Sequence, residues 1–123
     1  MANPQFLSLF SLNNVTPAIQ KNRKNETCDL QAWYYQTENN TLAYAILRGE
    51  HGERKDIPVD RYYFICGGTG EFLINDRSIS VGPGSIIQIP AHATYNFHTT
   101  GNDPLAFYVD VGVKLDLDTI PSK

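Results

Sequence analysis

The sequence has few cysteines and no long apolar run. Its 123 residues include two cysteines, one methionine and one tryptophan, and no stretch of about 20 apolar residues that would span a bilayer as a helix. The N-terminus lacks the basic start and the small-residue cleavage site of a secretory signal peptide. We therefore expect a cytoplasmic protein without a membrane partner, in which Cys28 and Cys66 are reduced and buried.

The chain also lacks runs of charge of one sign. It carries 10 lysines and arginines and 13 aspartates and glutamates, for a net charge of −3. The one basic cluster, residues 21–24 (KNRK), is too short to indicate nucleic-acid binding and is typical of a solvated loop. The length and the 41% share of hydrophobic residues predict a single globular domain with no nucleic-acid partner.

Strand-favouring residues and turn signals follow one another along most of the chain. Residues 41–48 (TLAYAILR) place Ala43, Ala45 and Leu47 on one face of a strand. Such patterns predict short strands at residues 26–36, 41–48, 61–67, 70–75, 77–81, 85–89, 94–99 and 105–111. This many short strands, separated by regular turns, predict an all-β sandwich or closed barrel.

The N-terminal residues carry different signals. Residues 15–24 predict one short helix, with Thr16 as its cap and Pro17 at its first position. Residues 6–12 (FLSLFSL) alternate apolar residues with serine and predict an edge strand that pairs with a second subunit in a homodimer. The predicted organisation is an N-terminal extension over residues 1–25, a barrel over residues 26–113 and a polar C-terminal tail over residues 114–123.

A segment that begins at Gly84 resembles the second motif of the cupin superfamily of small jelly-roll barrels. That motif runs glycine, five residues, proline, then glycine-x-x-histidine and an asparagine, and it is similar to Gly84-SIIQI-Pro90-AHATY-Asn96 here. The family's first motif, two histidines and a glutamate ahead of a glycine turn, aligns with the residues before Gly68. The resemblance covers roughly residues 41–112 and implies a single-domain jelly-roll β-barrel with a short N-terminal extension.

The resemblance also implies where a metal would bind, and the side chains there are unsuited to it. Metal-binding cupins hold iron, manganese, zinc or nickel with three histidines and one glutamate. In this sequence the four places read Lys55, Ile57, Arg61 and Tyr95, with Arg54 and Asp56 replacing the first two if the spacing is one residue longer. Cationic, apolar and phenolic side chains are poor ligands for a divalent ion, so we expect neither a metal nor another cofactor.

These replacements imply a different kind of site at the barrel mouth. By the two-residue period of a strand, Arg61 shares a face with Tyr63, and Tyr95 shares one with Phe97. Arginine forms bidentate pairs with carboxylate or phosphate, and a phenol can orient a carbonyl oxygen. The predicted catalytic residues are Tyr95, Lys55 and His92, and the predicted ligand-binding residues are Arg61, Tyr63, Phe97 and His51.

Several of these residues have a purely structural interpretation as well. Lys55 fits a solvated loop in a charged run, and His92 fits an exposed turn. Arg61 fits a salt bridge with Asp60 or Asp56, and Tyr63 fits a plain core aromatic.

Three functions remain open from the sequence. The first is a metal-independent isomerase, epimerase or lyase that moves a proton next to the carbonyl of a small anionic or carbonyl compound. In that enzyme Tyr95 would form the acid–base pair with Lys55 or His92, and Arg61 would hold an anionic group. The alternatives are a binding or sensing module without turnover and a metal-dependent oxygenase with non-standard ligands.

Overall fold

The computed structural model describes residues 19–119, which form an antiparallel β-structure. Its strands are β1 (Ile19–Lys24), β2 (Cys28–Gln36), β3 (Thr41–Gly49), β4 (Arg61–Gly67), β5 (Gly70–Ile74), β6 (Arg77–Val81), β7 (Ile86–Ile89), β8 (Tyr95–Thr99) and β9 (Leu105–Asp110). A 3-10 turn at Leu117–Thr119 ends the described chain. Within residues 19–119 no helix has the length and hydropathy needed to cross a membrane.

Two sheets build the barrel. The larger has the strand order β1-β2-β3-β9-β4-β7, and the smaller has the order β6-β5-β8. The link between β3 and β4 (residues 50–60, the β3–β4 link) runs along β8 through the bridges Glu50↔His98 and Arg54↔Tyr95. This link therefore joins the two sheets on one side. The predicted all-β jelly-roll is confirmed, and each of the eight predicted strands is present to within two residues at either end.

The helix predicted over residues 15–24 is wrong in its described part. Ile19–Lys24 forms β1, which pairs along its whole length with β2, from Ile19↔Tyr34 to Lys24↔Asp29. A short segment without an apolar stripe gains little as a helix, whereas the open edge of β2 offers it a full ladder of backbone hydrogen bonds. Residues 15–18 and the predicted edge strand at residues 6–12 lie outside the described residues, so the homodimer stays a prediction.

The barrel interior is filled unevenly. The smaller sheet contributes large aromatic side chains, and Phe72 and Phe97 stack with ring centroids 4.3 Å apart and an interplanar angle of 3°. The larger sheet contributes small ones on the same inner side, because Ala43 and Ala45, which share a face of β3 as predicted, lie on its buried face. One part of the interior is therefore packed with aromatic rings, and the part beside the alanines is left open.

The outer side of the larger sheet carries an apolar row that crosses five strands. The row consists of the cross-strand neighbours Trp33, Tyr44, Tyr108, Phe64 and Ile86. Phe64 is 42% exposed and Ile86 is 67% exposed. The exposed part of the row, Tyr108, Phe64 and Ile86, is typical of surfaces that contact other molecules.

Two further expectations need correction or qualification. Cys28 is buried as predicted, but Cys66 is exposed, because the two-residue period of β4 turns Ile65 inward and Cys66 outward. In the segment assigned to the polar tail, Leu117 is buried against the barrel.

We predict opposite outcomes for alanine substitutions at neighbouring positions of β5. Phe72 is 0% exposed in the aromatic part of the interior, whereas Leu73 is 49% exposed on the outer face. Phe72→Ala should lower the free energy of unfolding by about 3–5 kcal/mol through lost burial and a cavity, and Leu73→Ala should change it by about 0.5 kcal/mol or less. Urea denaturation of the two variants measures this, and equal losses would show that the barrel interior is placed wrongly.

Candidate ligand-binding site

The open part of the barrel is a cavity of about 370 Å³ beside the larger sheet. Its wall on β2 and β3 includes Ala32, Ala43 and Ala45, where Ala32 pairs with Ala45 and Ala43 pairs with Tyr34. Side chains this small leave space that leucine or phenylalanine would fill. The volume falls in the range of small-molecule sites, which is about 300–1,000 Å³.

Four cationic side chains line this cavity. Lys21 and Arg23 come from β1, Arg54 comes from the β3–β4 link and Arg61 comes from β4. No aspartate or glutamate is among the described residues of the lining, and residues 1–18 contain none in their sequence. A concave site lined by charge of one sign concentrates ligands of the opposite sign. The cavity therefore favours an anion.

Two of these arginines have hydrogen-bonding capacity that the described residues do not use. The Nε atoms of Arg23 and Arg61 are buried and have no hydrogen-bond partner within residues 19–119. Each guanidinium is held through another nitrogen: Arg23 Nη2 donates to the carbonyl oxygen of His51, and Arg61 Nη1 donates to Tyr95 Oη at 3.2 Å. Because a buried N–H without an acceptor destabilises the fold, both groups favour an acceptor inside the cavity.

The ion pair considered for Arg61 in the sequence does not form. Asp60 accepts hydrogen bonds from the Ala91 N–H and the Gln88 side chain, and Asp56 lies 3.4 Å from His92 Nδ1. The Arg61 side chain therefore lines the cavity and donates to Tyr95 instead of pairing with either carboxylate.

His51 is held tightly at the cavity wall by the β3–β4 link. Its N–H donates to the carbonyl oxygen of Phe97 at 2.8 Å, and its ring stacks on the Phe97 ring with centroids 4.4 Å apart. Nδ1 lies 3.0 Å from the carbonyl oxygen of Gly52. Since a carbonyl oxygen only accepts, Nδ1 carries the proton of the neutral ring and Nε2 carries the lone pair.

The environment keeps the imidazole of His51 neutral. Burial lowers the pKa of His51 to about 3; the hydrogen bond with Gly52 opposes this shift, and the charges of Arg54, Arg23 and Arg61 add to it. An unprotonated nitrogen among cationic side chains can accept a proton or a hydrogen bond from a ligand.

Tyrosines form a second polar group of the site. Tyr63 lines the cavity, and its Oη lies 2.9 Å from the Oη of Tyr95, which is 1% exposed behind it. Burial, followed by the contact with Tyr95, raises the pKa of Tyr63 well above its usual range. Tyr34 also lines the cavity, and burial raises its pKa too, against the charges of Arg23, Arg54 and Arg61. Both cavity tyrosines are thus neutral hydrogen-bonding groups at physiological pH.

The structure brings together only part of the predicted site. Arg61, Tyr63 and His51 line the cavity, Tyr95 supports Tyr63 from behind, and Phe97 lies in the core beneath His51. These placements do not test the roles that the sequence assigned to the side chains.

Lys55 and His92 lie outside the cavity lining, and both are exposed. The backbone of Arg54 pairs with that of Tyr95 in both directions at 2.8 Å, and it is the Arg54 side chain that enters the cavity. The next side chain, that of Lys55, is left in solvent. His92 is in a turn, with φ 68°, beside Asp56.

Sequence reasoning missed the contribution of β1 and β2. The residues concerned are Lys21, Arg23 and Tyr34. The signal was present, because residues 21–24 read as a strand would put Lys21 and Arg23 on the same face. Leu115 and Thr119, from the segment assigned to the polar tail, also contribute to the lining.

Solved structures with the same arrangement of strands are cupins. A cupin 2 conserved barrel domain protein from Rhodopseudomonas palustris has a TM-score of 0.71 and 15% identity, over 93% of this chain and 83% of that one. A predicted oxalate decarboxylase from Thermotoga maritima has a TM-score of 0.69 and 16% identity, over 79% and 94% of the two chains. KdgF from Halomonas sp. has a TM-score of 0.63 and 11% identity, over 80% and 88%.

Neither a family model nor a curated protein matches the sequence. The structural similarities show that the chain has the cupin fold, in agreement with the motif resemblance. At these identities they show the fold alone.

The side chains of the cavity do not fit the metal that this fold often carries. Within residues 19–119 no three histidine, cysteine, aspartate or glutamate side chains are grouped so that they could hold a metal ion. His51 is the one side chain of these four types in the described lining, and it shares the cavity with four cations. Divalent ions need several anionic or neutral donors, and of these the described lining supplies a single imidazole.

We predict that His51 makes the fold less stable in acid. Its folded pKa of about 3 lies below the unfolded value of about 6.5, so the unfolded state binds more protons between these values. The free energy of unfolding should therefore fall as the pH drops from about 6.5 towards 3, by at most about 1.4 kcal/mol per pH unit from this group. His51→Gln should have a shallower pH dependence than the parent in urea denaturation between pH 7 and 4.

The matched control is His92→Gln, which removes an exposed histidine and leaves the carboxylates unchanged. This variant should have a steeper pH dependence than His51→Gln. If the His51→Gln variant has the parent slope, the buried neutral imidazole is refuted.

Proposed function

We propose that this chain binds a small anionic or carbonyl compound in the barrel cavity and acts on it as a metal-independent isomerase, epimerase or lyase. The observation that carries the proposal is the lining of the 370 Å³ cavity, which combines Lys21, Arg23, Arg54 and Arg61 with no described acid. A site with this charge binds carboxylate or phosphate groups.

His51 is the proton acceptor in the proposed reaction. Its Nε2 carries the lone pair, because Nδ1 faces the Gly52 carbonyl oxygen. In the reaction Nε2 takes a proton from the carbon next to the ligand carbonyl. It returns that proton to a neighbouring carbon in an isomerisation or to the other face of the same carbon in an epimerisation. Lys55 and His92, which the sequence favoured for this role, are exposed and have no part in the mechanism.

Tyr63 and the arginines stabilise the negative charge that develops on the carbonyl oxygen. Tyr95 Oη accepts a hydrogen bond from Arg61 and lies 2.9 Å from Tyr63 Oη, and either of the two phenols can donate to the other. In the proposed reaction Tyr95 donates to Tyr63, and the Tyr63 hydroxyl donates to the ligand. Fixed donors aimed at the site of developing charge lower the barrier without reorganisation.

The second candidate function is ligand binding without turnover. It is favoured by the direction of two pKa shifts, because His51 is a weak base and Tyr63 is a weak acid in the empty cavity. Groups with pKa values far from neutrality transfer protons inefficiently. A binding module needs only the cations and the shape of the cavity.

The two functions differ in proton exchange with solvent. We expect the protein in D₂O to exchange the hydrogen next to the carbonyl in at least one member of a panel of small 2-oxo acids, as measured by proton NMR. His51→Gln should lower the exchange rate by about 10²–10⁴-fold, the usual contribution of a general base, while ligand affinity changes little. A chelator should have no effect.

The matched control for exchange is again the exposed histidine variant His92→Gln, which should exchange at the parent rate. Tight binding of panel members without any exchange would select the binding module. Exchange that stops with chelator and returns with added metal would refute a metal-independent enzyme.

A further inference from the structure

We infer that the natural ligand carries two separate anionic groups joined by a short uncharged segment. This inference rests on the proposed function, which requires only one anionic or carbonyl group. It adds that Arg23 and Arg61 each bind one end of the same molecule.

The two arginines reach the cavity from distant points of the larger sheet. Arg23 is on the edge strand β1 and Arg61 is on β4, with β2, β3 and β9 between them in the strand order. Arg23 pairs with Leu30, and the register continues to Leu47 on β3. Tyr62 of β4 pairs with Asp110 of β9, so Arg61 lies opposite Val111. The Val111 N–H donates to the carbonyl oxygen of Thr41 on β3, so Arg61 lies level with Thr41.

Leu47 and Thr41 mark the levels of Arg23 and Arg61 on β3. They lie six positions apart, which corresponds to about 20 Å along the strand at about 3.3 Å per residue. The charges of Arg23 and Arg61 nevertheless both act on Tyr34 and on His51. The side chains therefore reach one cavity from backbone positions far apart on the sheet. Each guanidinium is anchored at a different point, Arg23 at the His51 carbonyl oxygen and Arg61 at the Tyr95 hydroxyl.

Both guanidinium groups are held in place and can donate a further hydrogen bond. One nitrogen of Arg23 is fixed by the His51 carbonyl oxygen, and one nitrogen of Arg61 is fixed by the Tyr95 hydroxyl. These bonds orient the guanidinium planes and leave both buried Nε–H groups unsatisfied. A carboxylate is the group that such an oriented guanidinium binds through two parallel hydrogen bonds.

Much of the cavity lining is apolar. Its side chains without polar atoms include Leu30, Ala32, Ala43, Ala45, Phe107 and Val109. Burying a further charge there would cost free energy without a partner to compensate it. A ligand with charged ends and a short uncharged middle matches this arrangement.

The charge balance leads to the same ligand. The described lining carries four cations and no carboxylate, and like charges in a partly desolvated site repel one another. One anionic group would leave three cations without a counter-charge, whereas two would leave two. Two anionic ends therefore stabilise the occupied site more than one.

The test compares dicarboxylates with their monoamides by titration calorimetry on the full chain. Malonate, succinate, glutarate and adipate vary the separation of the charges, and each monoamide keeps the shape but loses one charge. At least one dicarboxylate should bind 10-fold or more tightly than its own monoamide. Inorganic phosphate, which concentrates its charge on one group, should bind more weakly than that dicarboxylate.

Substitutions of Arg23 and Arg61 then test whether each arginine binds one end of the ligand. Arg23→Gln and Arg61→Gln should each weaken the best dicarboxylate at least 10-fold and change the affinity of its monoamide far less. Arg48→Gln is the matched control, because it removes the same charge from an exposed position outside the cavity lining. It should leave both affinities within about twofold, as expected for a remote surface charge screened by salt. Thermal unfolding of each variant verifies that it is folded.

Three results would count against the inference, and they are distinguishable. Equal affinity for dicarboxylates and monoamides, or tighter binding of phosphate, would overturn the two-ended ligand and leave the anion site intact. Binding that only one arginine affects would also overturn it. No binding of any dicarboxylate, monoamide or phosphate would remove the proposed function as well.

Discussion

The pairing of the β3–β4 link with β8 is the constraint on which both the barrel and its cavity depend. The bridges at Glu50 and Arg54 connect the two sheets through backbone hydrogen bonds. The same bonds place the imidazole of His51 on the Phe97 ring and place Arg54 in the cavity. Because these contacts are made by the backbone, many side-chain substitutions in the link would preserve them. Closure of the barrel and presentation of the site therefore have the same physical origin.

Packing and binding occupy different parts of one interior. The aromatic rings of the smaller sheet supply burial and stacking, and Tyr63 touches them with its ring while its hydroxyl group belongs to the site. The alanines of β2 and β3 supply no comparable burial and leave room for a ligand. A cavity lined by cations without acids stabilises the fold little, since buried charges need partners. The aromatic part must offset this cost, so the stability of the barrel and the charge of the cavity are coupled.

The sequence predicted the strands well because alternation and turn residues are local signals. The two-residue period predicted that Ala43 and Ala45 share one face of β3 and that Arg61 and Tyr63 share one face of β4. The motif resemblance supplied the inward direction of Arg61 and Tyr63. The role of Arg23 was not predictable in this way, since β1 becomes a strand only when the edge of β2 is available. Arg54 and Lys55 show the second limit. A shift of one residue in an irregular link exchanges a cavity side chain for a solvent-exposed one, and only the bridge with Tyr95 decides between them.

The charge of a bound anion would act on the same group that the arginines act on. Burial and the three arginines lower the pKa of His51 to about 3, which makes it a weak base. An anion bound to those arginines would oppose their charge at the imidazole and would favour its protonated form. The ligand itself would then offset the contribution of the arginines, while burial, the larger cause of the low pKa, would remain. In the proposed reaction an anionic ligand would thus raise the basicity of the group that takes its proton.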